Sequence, residues 1–141
     1  MVKYIPSRGD IVWLNFNPNQ GNEICKTRPA LVISPKNYNA KTNLAIFLPI
    51  TSKVKGYPFE FKINLKAIQG AVLCDQVRSL DWEARNARKI DKLDEKSIEQ
   101  ILSKLYLKLA TKVLLRLIQW KSTKTIYIYC LILRHNFQFQ V

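Results

Sequence analysis

Between two apolar runs near the N-terminus, Ile11 to Phe16 and Ala30 to Ile33, lies a glycine-bearing polar loop that carries Glu23 and, five positions later, Arg28. Residues Gly9 to Pro29 read GDIVWLNFNPNQGNEICKTRP. A carboxylate can move a proton, and a guanidinium can stabilise charge developing on phosphate oxygens, so the pair suits the handling of a phosphodiester. Taken without context, an arginine ahead of a strand is as readily a solvated surface charge.

The elements that must position this loop are legible as β signals. Ile11 to Phe16, Ala30 to Ser34 and Leu44 to Thr51 are short runs of β-branched, aromatic and aliphatic residues separated by turn formers. From Pro58 to Leu65, Phe59, Phe61, Ile63 and Leu65 alternate with Glu60, Lys62 and Asn64, the period of a strand with one buried face. Gly70 to Leu80 reads as a further strand, followed by a basic stretch from Trp82 to Lys92. Asp94 is placed to cap a helix running from Glu95 to Ala110. Ile98, Ile101, Leu102, Leu105 and Leu109 would line the face of that helix that packs on the sheet.

A chain of 141 residues with 48% hydrophobic content has room for one packed domain and an appendage. Its 23 Lys and Arg against 10 acidic residues give a net charge of +13, which favours polyanionic partners: RNA, DNA, an acidic protein or an anionic membrane. Cys25, Cys74 and Cys130 are odd in number and lack a CxxC pair, so neither a disulfide framework nor a zinc knuckle is indicated, and a reducing cytosol is expected. The opening MVKYIPSRGD has no apolar core of signal-peptide length, and no stretch reaches the roughly 18 apolar residues of a spanning helix. These features lead to the expectation of a cytoplasmic protein that does not enter a membrane.

Four segments, GDIVWLNFNPNQGNE, RPALVISPKNYN, PITSKVKGYPFE and AVLCDQVRSLDW, occur in an order and spacing that resembles the MazF/PemK family, the toxins of type II toxin–antitoxin modules. The resemblance covers roughly Tyr4 to Leu109. It implies a mainly β fold with helices, an SH3-like small barrel with a C-terminal helix. It further implies a homodimer that binds single-stranded RNA across its interface, and a cognate MazE-like antitoxin whose acidic tail covers the same surface and joins the toxin in binding DNA. The implied activity is that of a sequence-specific, ribosome-independent endoribonuclease that cuts mRNA, without cofactor, to a 2′,3′-cyclic phosphate and a 5′-OH.

Carried over residue by residue, the family's catalytic arginine matches Arg28, its threonine matches Thr51 in PITS, and its first-loop glutamate matches Glu23. The resemblance makes Arg28 the stabiliser of phosphorane charge and a proton donor, Thr51 a hydrogen-bonding group on the phosphate, and Glu23 the base or a group that orients Arg28. RNA contacts are expected from Asn15, Asn17, Lys26 and Thr27 in the first loop. Lys53, Lys55 and Tyr57 in SKVKGY combine cations with an aromatic ring, a set that can grip phosphate and stack a base. Gln76, beside Asp75, either faces the RNA or stabilises a strand end. Trp13 and Trp82 read as core or dimer contacts.

Other routes to RNA cleavage find little support in the inventory. The one histidine, His135, lies beyond the resemblance, which excludes a two-histidine mechanism within a single chain. The carboxylates of the first 80 residues, Asp10, Glu23, Glu60 and Asp75, are far apart in sequence. Asp81 and Glu83, close to Arg85, Arg88 and Lys89, read as surface ion pairs, so no metal is expected.

The chain is expected to divide into a toxin domain, 1–110, and an atypical basic and apolar extension, 111–141. The extension carries Lys112, Arg116, Lys121, Lys124 and Arg134 with no acid. Val113 to Ile118 can prolong the helix, and Ile126 to Leu133, IYIYCLIL, is an apolar run of high β propensity. Its origin reads as a partner or membrane element, an added pair of secondary structures, or a chance extension after a lost stop codon or frameshift. Two rival readings of function remain: a non-catalytic toxin of the same fold class that binds DNA gyrase, and a toxin inactivated by its extension.

Overall fold

The computed structural model describes residues 4–17 and 26–119, with side chains described as far as residue 110. Glu23, Cys25 and the run at 126–133 lie outside the described residues. By its contacts the chain divides into two compact units, Met1–Leu105 and Tyr106–Val141.

The strands are β1 (Asp10–Asn15), β2 (Thr27–Val32), β3 (Leu44–Thr51), β4 (Glu60–Asn64), β5 (Gln69–Leu73), β6 (Arg78–Asp81) and β7 (Arg88–Lys92). A short helix, α1 (Lys36–Thr42), precedes β3, and α2 (Glu95–Gln119) follows β7. The strands form one curled antiparallel sheet in the order β4-β5-β3-β2-β1-β7, with β6 paired to β3 off that path. β3 therefore meets three neighbours. Leu44–Phe47 pair with β6, Phe47–Pro49 with β2, and Ile50–Thr51 with β5.

The near-continuous apolar run of β1 has a simple cause. Side chains alternate across a strand, and both faces of this sheet are covered. Ile11, Leu31, Leu48, Ile50 and Val72 pack on one face with Ile98 and Ile101 of α2. Val12, Leu14, Phe16, Ala30, Val32, Phe47 and Trp82 form a second cluster. Burying each such side chain contributes about 1.5–3 kcal/mol, against 0–1 kcal/mol for an exposed ion pair, so these two clusters hold the fold. Asp10, itself buried, ties the sheet edge together. Its Oδ2 accepts from Tyr4 Oη at 2.8 Å and from the Ser7 amide at 3.0 Å, while Lys89 Nζ on β7 lies 2.8 Å from its Oδ1.

Asp94 caps α2 as its sequence suggests, accepting from Ser97 N at 2.9 Å and Ser97 Oγ at 2.7 Å. The Ser97 side-chain bond holds the Asp94 carboxyl below its ordinary range. Ile98 and Ile101 are buried and Leu102 and Leu105 pack beside them, whereas Leu109, expected on the same face, is exposed. The helix runs on past Ala110 to Gln119.

Two expectations are corrected and two elements are added. The strand read as Gly70 to Leu80 is two strands, β5 and β6, parted by a turn that the Gln76 amide closes on the Leu73 carbonyl at 3.2 Å. The basic stretch Trp82 to Lys92 contains β7, an edge strand whose charged residues suit an exposed margin. A helix, α1, occupies the polar segment KNYNAKT. Its Asn39 is fully buried, donating to the Pro6 carbonyl at 2.8 Å and accepting from Ser34 Oγ. Finally, Glu60 is buried rather than solvated, for a reason that belongs to the site.

Candidate functional site

Arg28 lies on β2 opposite Leu14 of β1. On its other side, β2 pairs with β3 at Val32↔Phe47, Leu31↔Leu48 and Ala30↔Pro49. That ladder ends at Ala30↔Pro49, and the last two residues of β3, Ile50 and Thr51, pair with Val72 and Ala71 of β5. Arg28 lines a cleft of about 280 Å³ with Trp13, Pro29, Ile50, Ser52, Ile68 and Gln69.

Two further clefts flank it. One, of about 410 Å³, is lined by Trp13, Asn15, Thr27, Arg85, Asn86 and Arg88. The other, of about 540 Å³, is lined by Ser52, Val54, Lys62, Ile63, Asn64, Gln69 and Gly70. The first shares Trp13 with the central cleft, and the second shares Ser52 and Gln69. Together they make a polar track past Arg28, with Arg85 and Arg88 at one end and Lys62 at the other.

The neck of the first loop is built by its own amides. Asn15 Oδ1 accepts from Asn17 N at 3.0 Å, and Asn17 Oδ1 accepts from Lys26 N at 3.0 Å. Phe16 N donates to the Lys26 carbonyl, and Lys26 takes the left-handed conformation, φ 74°. Arg85 Nη1 donates to the carbonyls of Asn15 and Asn17, both at 2.8 Å. The side-chain oxygens of Asn15 and Asn17 therefore shape the loop mouth.

The second loop, Ser52 to Tyr57, presents Lys53 and Lys55 to solvent. Its hold is the buried Glu60, whose carboxylate accepts from Gly56 N at 2.6 Å and Lys55 N at 3.0 Å. Backbone amides compensate the carboxylate for lost water, which explains a glutamate where the alternation called for a solvated face. Glu60→Ala is expected to lower stability by about 1–3 kcal/mol, since two amides lose their acceptor. A chemical denaturation curve checks this, and an unchanged midpoint would show that the loop holds its shape without the carboxylate.

Thr51 Oγ1 accepts from Lys53 N at 3.2 Å, so its hydroxyl also closes the turn after β3. Tyr57 Oη donates to Asp75 Oδ1 at 2.9 Å. Burial, then this bond, pushes the Tyr57 phenol well above its ordinary range. Tyr57 and Gln76 line none of the three clefts and serve the loop and the β5–β6 turn. Asp81 Oδ1 accepts from the amides of Glu83 and Ala84, so its role is to shape a turn. Trp82 is buried, its Nε1 donating to the Asn39 carbonyl at 3.1 Å, whereas Trp13 is 45% exposed between two clefts. Ser52 and Gln69 line the clefts without having been assigned a role from sequence, and Trp13, Arg85 and Arg88 line them although read as a core or dimer contact and as partners of surface ion pairs; only the period-2 alternation of β1, which turns Trp13 away from Val12 and Leu14, carried a signal. Among the described residues, no three His, Cys, Asp or Glu side chains gather in a cluster able to hold a metal ion, and no helix is long and apolar enough to cross a membrane.

Comparison with known proteins gives this geometry its context. Residues 7–109 match the family described as PemK-like, MazF-like toxin of type II toxin–antitoxin system. The endoribonuclease toxin MazF of Escherichia coli strain K12 is 39% identical over 103 residues, 73% of this chain and 93% of that protein. Endoribonuclease PemK of Escherichia coli is 31% identical over 106 residues, 70% of this chain and 77% of that protein. The crystal structure of MazF from Deinococcus radiodurans superposes with a TM-score of 0.74 at 41% identity, covering 77% of this chain and 99% of the other. Its curled sheet with a C-terminal helix bears out the expected small-barrel fold. The chain belongs to the PemK-like, MazF-like family of type II toxin–antitoxin toxins.

Proposed function

We propose that this toxin is a metal-independent endoribonuclease that cleaves single-stranded mRNA at specific sequences, with Arg28, Thr51 and Glu23 around the scissile phosphate. The observation that supports this is the cleft that Arg28 shares with Ile50 and Ser52, the chain neighbours of Thr51, beside an open cationic track. The attacking nucleophile is the ribose 2′-OH. A bond forms from 2′-O to phosphorus and the P–O5′ bond breaks, leaving a 2′,3′-cyclic phosphate and a 5′-OH. Arg28 stabilises the phosphorane oxygens and protonates the leaving 5′-oxygen, Thr51 hydrogen-bonds the phosphate, and Glu23 takes the 2′-OH proton or orients Arg28. Lys26, Lys53 and Lys55 are exposed cations that hold the backbone, and Asn15 and Thr27 line the track beside it.

The curated relatives are named endoribonucleases, which supports this reading over a gyrase binder. Solved neighbours include MazE–MazF complexes from Deinococcus radiodurans, which supports a toxin dimer with an antitoxin partner; that the antitoxin is acidic and that both act in the cytoplasm is part of the proposal. Residues 1–110 are taken as the toxin domain and 111–141 as an extension that can modulate it.

The test is incubation of a long single-stranded RNA with the purified chain in EDTA, with the fragment ends read by sequencing. Discrete cuts bearing 5′-OH ends are expected. Intact RNA would turn the reading towards gyrase binding, and cuts made only by a version ending at Leu109 would identify the extension as an inactivating element.

A further inference from the structure

Resting on the ribonuclease reading, we propose that the cleft between Trp13 and Arg88 is a second nucleotide subsite, holding the residue next to the scissile phosphodiester. Three observations meet there. Trp13 is a large aromatic left 45% exposed, and it lines both this cleft and the one that contains Arg28. A base stacked on its indole lies beside the cleft that Arg28 lines. Stacking on an aromatic face is the sequence-tolerant way to hold a single strand.

The second observation is charge. Arg85 and Arg88 line the same cleft, which suits the phosphate of the stacked nucleotide. The third is preorganisation. Arg85 is fixed by its two bonds to the carbonyls of Asn15 and Asn17, and the turn that follows is set by Asn86 in the left-handed conformation, φ 52°. The floor therefore stands before RNA arrives, and binding need not order it. At about 410 Å³, the cleft falls within the range of about 300–1,000 Å³ usual for small-ligand sites. The cleft on the opposite side of Arg28 offers Lys62, Asn64 and Gln69 but no aromatic face, so stacking places the subsite at the Trp13 end.

The test uses oligoribonucleotides centred on a cut site located by the cleavage assay. A 2′-deoxy sugar at that site blocks reaction, and the oligonucleotides are lengthened by one nucleotide at a time from either end. Binding to the full-length protein is read by fluorescence anisotropy. At one end only, the first added nucleotide is expected to tighten binding about tenfold. In Arg88→Ala that gain should fall below about twofold, with the shortest oligonucleotide bound as by the wild type and the log–log salt slope reduced by about one. Trp13→Ala should lose the gain and Trp13→Phe keep most of it. Arg88→Gln, with a thermal melt of each variant, guards against misfolding. An Arg88→Ala loss equal at every length, or no length step at either end, overturns the subsite while cleavage stands. Absence of any cleavage overturns the ribonuclease reading and the subsite with it.

Discussion

Arg28→Ala is expected to keep the fold and to lower the rate of RNA cleavage by about 10²–10³-fold, the usual effect of removing one donor to a developing oxyanion. Arg28 lies at the end of β2 nearest the first loop, outside both buried clusters, so truncating it opens no core cavity. The loss should fall on kcat more than on KM, because charge on the phosphorane oxygens is greater than on the ground-state phosphate. Arg28→Lys should recover only part of the rate, since an ammonium keeps the charge but not the two-pronged geometry. Single-turnover cleavage of a radiolabelled RNA separates these quantities. A rate within twofold of wild type for the alanine variant would remove Arg28 from the chemistry.

Gly70→Ala should be the most damaging small substitution outside the reacting groups. Gly70 sits on β5 with φ 153°, and a Cβ there would overlap the carbonyl oxygen of Thr51 and stand 3.3 Å from Ser52 Cα. The neighbour is backbone, which cannot step aside as a side-chain tip would. Either β5 parts from the end of β3 or the strain is carried in place, a loss of about 2–4 kcal/mol. A melting temperature lower by roughly 10 °C and a cleavage rate at least about tenfold lower are expected, because Thr51 and Ser52 move with that carbonyl. A variant as stable as wild type would show that the strands separate without loss. One that is destabilised but fully active would show that the position of Thr51 tolerates the shift.

Much of the sheet was legible because alternation and apolar runs register burial. β1 to β4 stand close to where those patterns set them. The failures share a cause: residues whose placement depends on partners distant in the chain. Glu60 interrupts an alternating strand as any solvated glutamate would, and only the amides of Lys55 and Gly56 account for its burial. β7 hid in a charged stretch because an edge strand is defined by its neighbour β1, not by its own polarity. Trp13 read as a core or dimer contact because aromatic residues in apolar segments are usually buried; α2 covers the sheet near Ile11 and leaves Trp13 open, which removes the core half of that reading. The candidate site residues came from family motifs, since periodicity says nothing of Arg28 sharing a cleft with Ile50 and Ser52.

β3 is bonded to β2, β5 and β6 at once, and Thr51 is its last residue. Amides in such a strand are released to solvent only when the whole sheet comes apart, so its opening free energy approaches that of global unfolding. Loop Ser52 to Tyr57, held at its far end by Glu60 and Asp75, can open at far lower free energy. Because Thr51 Oγ1 accepts from Lys53 N within that loop, opening the loop frees the hydroxyl for a new partner while the Thr51 backbone, paired with Ala71 on β5, stays in the sheet.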